Sequence, residues 1–320
     1  MTDSTHKSLN ALMRHIRAAG IDIGGSRHKR ELATVGYFHG YKGYRFGGTP
    51  SNRIPYARFD ELAAVIEFDH GLKALLYPLL MRLEMAMKNR ALIEALEQAD
   101  SSLLSDVYAR LMPGDRNKKR QGKLELIHAN SEVLLSRYKR GDRIITHYYD
   151  SPGESVPVWA LFEVITLGHF ANFLEQLAPD VLVSIAGSWG LRKNDAELVP
   201  HLIYGVTDLR NAVAHNSVVF DTRFATGKVR QRIADLVGRE LALDPSVRIA
   251  FDTITDYLVL VLFLSVRLGL KKRDAYRVVR DYIALTDTLR GAVPVRVFDM
   301  IVHTDNRAKV KRLESWVRAL

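Results

Sequence analysis

The segment Leu209-Arg-Asn-Ala-Val-Ala-His215-Asn216 sets an arginine, an amide and a histidine on what reads as one helix. Arg210 can grip a phosphate with a planar fork of donors. His215 carries the side chain best suited to moving a proton near neutral pH, and Asn211 can orient either a phosphate or that histidine. RNA cleavage without a metal needs this combination. A neighbouring 2′-hydroxyl attacks the phosphate, leaving a cyclic phosphate and a 5′-hydroxyl, so DNA lacks the nucleophile. Taken alone, the spacing is common: many exposed helices carry Arg, Asn and His by chance.

Helical geometry narrows the choice. At about 100° per residue, Leu202, Val206, Leu209 and Val213 fall within roughly 60° of one another and form a buried stripe. Asn211 and His215, one turn apart, stack nearly opposite that stripe, and Arg210 sits to the side. The polar groups are thus expected to face water, RNA, another segment or a second copy of the chain.

The elements that position them are helical. Apolar residues recur at helical spacing nearly everywhere, without sustained period-two alternation. A first helix is expected at about 8–19, and a second, capped by Ser26, running to about Tyr44. GGTPSNRIP is a loop separating an N-terminal basic helical appendage, 1–55, from a body, 56–320. In the body, 59–99 is strongly apolar, with Gly71 and Pro78 able to start or kink a helix. Residues 113–123 read as a mobile basic loop, 150–157 as another loop, 158–177 as one helix and 198–215 as the motif helix, stopped by Asn216. Further helices are expected near 228–242, 248–268, 272–289 and 305–319.

Composition restricts the chemistry. The chain has 320 residues, a formal charge of +10 and no cysteine. The absence of cysteine removes thiolate catalysis, disulfides and zinc ribbons and suits a reducing compartment. The charge points to an anionic partner, nucleic acid ahead of a lipid surface. The most apolar run, YLVLVLFL from Tyr257 to Leu264, is far short of the roughly 20 residues a membrane span needs and reads as a buried core helix. No secretory signal is evident. The expectation is an all-α, cytoplasmic protein without membrane insertion. No phosphate-binding glycine loop or serine-nucleophile turn appears.

Arg210-Asn211-x3-His215 resembles the Arg-polar-x3-His signature of HEPN ribonucleases, which are helical bundles. YFHGYKGYRF (37–46), LLYPLLMRLEMAMKNRALIEAL (75–96) and VPVWALFEVITLGHFANFLEQL (156–177) resemble, in the same order, segments of bacterial abortive-infection proteins of the AbiD/AbiF kind. Asn216 stands where such proteins often carry a second histidine. The resemblance implies a HEPN-like helical bundle with additional N- and C-terminal helices. It implies an RNA-cleaving toxin or phage-defence effector, restrained in some systems by a small structured RNA antitoxin. It also implies a homodimer in which Arg210, Asn211 and His215 of two chains face each other. In this scheme His215 is the general base or acid, Arg210 stabilises phosphoryl charge and Asn211 orients. No cofactor or metal is required. The alternatives are a non-catalytic protein that sequesters or scaffolds RNA, and a membrane-surface or protein-interaction role.

Other residues carry weaker signals. The string Tyr37, Phe38, His39, Tyr41, Lys42, Tyr44 and Arg45 mixes rings with cations, as single-stranded RNA binding would use, with Tyr37, Tyr41, Lys42 and Arg45 the candidate contacts, yet Tyr37, Tyr41 and Tyr44 share a helical face that could equally pack on the body. Arg116, Lys118, Lys119, Arg120 and Lys123 could add sequence-independent RNA affinity. Arg90 is read as a structural ion-pair partner of Glu94, one turn on, with Glu84 less well placed. His169 is read as a core histidine, and His147 lacks the ligand spacing of a metal site.

Overall fold

The computed structural model describes residues 8–113, 117–151, 155–227, 229–243 and 247–320. Among them are fifteen α-helices, two 3-10 helices and no strand. In chain order the helices are α1 (Leu9–Ala18), α2 (Gly25–Gly40), α3 (Phe59–Ala99), α4 (Leu104–Leu111), α5 (Asn117–Lys139), α6 (Arg143–Asp150), α7 (Val158–Val164) and α8 (Leu167–Glu175). They continue with α9 (Pro179–Ser188), α10 (Val199–Ala214), α11 (Gln231–Glu240), α12 (Ile254–Arg267), α13 (Lys272–Ala292), α14 (Val295–Val302) and α15 (Asn306–Ala319). No helix among the described residues is long and apolar enough to cross a membrane.

The 41-residue α3 is the spine. Its two expected interruptions do not break it. Gly71 admits a close neighbour, because a Cβ there would meet Leu285 of α13 at 2.4 Å. Pro78 and Ala74, whose carbonyl loses a helical donor to the proline ring, are both exposed, so water can satisfy that carbonyl. Leu76, Leu80, Leu83 and Met87 supply a buried stripe on the other side. Residues 254–265 of α12 are buried all round, confirming YLVLVLFL as a core helix. α12 packs against α3, α10, α13 and α15, so the C-terminal third belongs to the same core as the motif helix.

Several local expectations need correction. The second helix is capped at Gly24, not Ser26, and ends at Gly40. Within it Gly36 adopts φ 70°, a conformation that glycine tolerates and other residues resist, so the last turn leaves the axis of the preceding ones. Residues 117–123 are the start of α5 rather than loop. The expected helix over 158–177 is two helices. Thr166 lies between them and accepts from the His169 amide, capping α8. α14 interrupts the stretch after α13, where no element was expected.

The chain after the motif helix is fixed by a buried carboxylate. Asp69 on α3 is fully buried and accepts from the backbone amides of Val219 (2.7 Å) and Phe220 (2.8 Å). It also accepts from the Tyr44 hydroxyl (2.9 Å) and lies 2.7 Å from Lys73 Nζ. Four donors thus satisfy a charge that would be costly if left alone. Tyr44 stacks on Phe220, with ring centroids 5.7 Å apart. Burial and the neighbouring Asp69 charge push its phenol well above the ordinary range. These contacts bind the N-terminal segment, α3 and residues 217–220 into one unit.

Candidate functional site

α10 presents the motif. Its first turn contains Pro200, which fits where the missing amide has no helical partner. Its buried residues include Leu202, Val206, Leu209 and Val213, while Asn211 and His215 are exposed. His215 is the C-cap. The Ser217 amide donates to the Ala212 carbonyl (2.8 Å) and the Asn216 amide to that of Val213 (3.4 Å), with Asn216 at φ 54°. This is a Schellman ending, and asparagine is among the few non-glycine residues that enter the left-handed region readily. The Asn216 side chain accepts from Lys73 Nζ at 2.9 Å, joining the helix end to the Asp69 cluster.

Arg210 turns towards α3. Its Nε donates to Glu84 Oε2 at 2.8 Å and its Nη1 to Asn211 Oδ1 at 3.2 Å. Glu84 Oε1 lies 3.0 Å from Lys88 Nζ, which donates to the Ile165 carbonyl at 2.9 Å. That carbonyl sits at the break between α7 and α8. Glu84 therefore holds two cations and connects the motif arginine to the spine.

An open groove of about 560 Å³ runs beside the helix end. Asn211 and His215 line one part, while Phe38, His39 and Arg223 line others. Arg223 is braced by Asp221 (Nε to Oδ1, 2.9 Å) and donates to the Phe46 carbonyl (2.6 Å). A second hollow, of about 230 Å³, shares Asp208 and Thr226 with the first and contains His201, Tyr204 and Arg230. Asp208 accepts from the Thr226 amide (2.6 Å) and hydroxyl (2.8 Å), forming the rib between them.

The structure brings Arg210, Asn211, His215 and Glu84 together and separates the other candidates. Arg90 is exposed and donates to the Ser188 carbonyl at 3.4 Å, while Glu94 accepts from the Ser184 hydroxyl. The expected Arg90–Glu94 pair does not form, because each finds a partner on or beside α9. Tyr41 and Tyr44 are buried, so packing is the arrangement adopted and Tyr41 has no free face for a base. Arg45 lies over the Tyr41 and Phe46 rings, whereas Tyr37 and Lys42 are exposed. Lys119 and Arg120 are exposed, and Lys123 donates to the Met112 carbonyl at 3.0 Å. Arg116 and the side chain of Lys118 lie outside the described residues. His169 is half-buried against Thr166, and His147 is exposed beside Tyr148.

Sequence reasoning missed Lys88, Arg223 and His39 as neighbours of this site. Lys88 was detectable as the i+4 partner of Glu84. Arg223 had no local signal, and His39, though part of the aromatic and basic string, had none that pointed to this groove, because long-range packing brings both there.

These features define an all-helical protein whose Arg-polar-x3-His helix ends at an open groove. The family model described as Abi-like protein matches residues 30–221. The chain belongs to that family, which supports a role in abortive infection, a form of phage defence. No curated protein and no solved structure matches the chain. The matched region ends just beyond the segment held by Asp69.

Proposed function

We propose that this protein is a metal-independent endoribonuclease acting in abortive infection or as the toxin of a toxin-antitoxin pair. The observation that carries this reading is that Asn211 and His215 open into one groove while the Arg210 guanidinium is hydrogen-bonded to Asn211. A phosphodiester in the groove would meet the amide and imidazole directly, with the guanidinium able to neutralise charge building on its oxygens. The 2′-hydroxyl loses its proton as it bonds to phosphorus. The 5′-oxygen bond breaks and that oxygen takes up a proton, leaving a 2′,3′-cyclic phosphate and a 5′-hydroxyl.

A homodimer that brings two α10 helices together would double the site. The exposed side of α3 near Glu84 suits such a contact, with Tyr77 49% and Met85 61% exposed. A small structured RNA would serve as antitoxin by filling the same groove. The ribonuclease reading includes the AbiD/AbiF subtype and cytoplasmic action.

The test is cleavage in chelator by wild-type, Arg210→Ala and His215→Ala proteins, with a 2′-deoxy control. Wild type should cut RNA and spare the control, and both variants should lose cleavage and toxicity. Full activity of either folded variant would overturn the assignment. The Glu84 ion pair favours a second reading, because it already engages Arg210: a non-cleaving protein that sequesters RNA. Tight binding without cleavage by wild type would establish it.

A further inference from the structure

Metal-free transesterification needs both a proton acceptor and a proton donor, and a single imidazole supplies one of these at a time. Of the two histidines that the motif helix carries with its cap, only His215 lines the groove, since His201 opens into the neighbouring hollow. A second histidine of the same chain lines the groove: His39, on the last turn of α2. The Gly36 kink turns that last turn away from the rest of α2. His39 is half-buried, and its Nδ1 is enclosed with no hydrogen-bond partner among the described residues. Because Nδ1 is enclosed, a ligand in the groove would meet the ring through its other edge, which carries Nε2. The neighbouring Phe38 meets the His39 ring edge-on at 5.2 Å and is 51% exposed, offering a stacking face for a base. Arg223 adds a cation to the same groove.

We propose that His39 is the general acid of the reaction, protonating the departing 5′-oxygen while His215 of the same chain removes the 2′-hydroxyl proton. This rests on the ribonuclease reading. Arg210, Asn211 and His215 share one helix and take the phosphate from the nucleophile side. Phe38 and His39 receive the base and oxygen on the leaving side. One protomer then contains a complete acid–base pair, and a second copy is not needed to supply the second imidazole.

The test compares a cleavable oligoribonucleotide with the same molecule carrying sulfur in place of the scissile 5′-oxygen, because sulfur departs without protonation. On ordinary RNA, His39→Gln should be slower by about 10²–10⁴-fold, the usual contribution of a positioned acid. On the sulfur substrate it should approach wild type, while His215→Gln stays inactive on both. Mixing the two variants should restore nothing, because neither chain then has an intact pair. Four outcomes overturn the proposal: undiminished cleavage of ordinary RNA by His39→Gln, an equal loss on both substrates, activity of His215→Gln on either substrate, or recovery on mixing. If wild type cuts neither substrate, the ribonuclease reading itself falls and the proposal with it.

Discussion

Arg210 Nε and Glu84 Oε2 meet at 2.8 Å, although 126 positions separate them in the chain. Glu84 is 13% exposed and Arg210 27%, so the pair is sheltered from much of the screening that weakens surface ion pairs. The same carboxylate holds Lys88, and Lys88 holds the carbonyl between α7 and α8. The arginine is thereby set in one orientation before any ligand arrives.

Removing the carboxylate should release it. Glu84→Ala leaves Arg210 and Lys88 without their acceptor and is expected to cost about 1–3 kcal/mol of stability. RNA cleavage should fall as well, because the guanidinium loses its anchor. Chemical denaturation together with cleavage rates checks this. Wild-type rates in a measurably destabilised variant would show that Glu84 supports the fold and not the site.

Asp69 should be less tolerant. Four donors converge on it in a fully buried position, and Asp69→Ala leaves Lys73 buried at 8% exposure without its charge partner. The expected loss is about 3–5 kcal/mol, the range for breaking a buried pair. Loss of the cooperative melt, or of the closure of residues 217–220 seen by hydrogen exchange, would follow. A change below about 1 kcal/mol would contradict the role assigned to this cluster.

The end of the motif helix gives a sharper contrast. Asn216 occupies φ 54° and accepts from Lys73. Asn216→Val should cost at least the roughly 1–2 kcal/mol of placing a side chain with β-branching in the left-handed region. Asn216→Gly should cost less, since glycine adopts that conformation freely and only the hydrogen bond to Lys73 disappears. Melting both variants in parallel tests the order; equal losses would mean that the Lys73 bond, and not the backbone, dominates.

His201 gives the protein a pH dependence on the acid side. Burial, and secondarily the Arg230 charge, push its pKa below the ordinary 6.5. Neutral His201 is thus favoured by the folded state. Its contribution to stability is present above pH 6.5, shrinks as the pH falls below that, and is lost once the pH passes through the lowered folded value. Melting temperature should therefore drop between pH 7.5 and 5, and by less in His201→Gln. An identical drop in both proteins would assign the effect to other groups.

Lys119 and Arg120 remain candidates for non-specific RNA binding because both are exposed on α5. Replacing them with glutamine should weaken all single-stranded RNAs alike and reduce the salt slope by about 0.7 for each phosphate that is no longer neutralised. A change confined to one sequence would contradict a purely electrostatic role.

Much of this was present in the chain itself. The 3.6-residue rhythm located α10 within a residue at each end and set Asn211 and His215 opposite Leu202, Val206, Leu209 and Val213, because side chains one turn apart must share a face. Asn216 marked the helix end because few other residues enter the left-handed region cheaply. Local rhythm could not say that Gly71 admits Leu285 instead of breaking α3, nor that Thr166 splits one apolar run into two helices. Tertiary packing alone decided the partners, Glu84 for Arg210 and Asp69 for residues 219–220, and set His39 and His215 on the walls of one groove. Each of those pairs joins distant segments, and the spacing of residues along a helix encodes only neighbours one or two turns away.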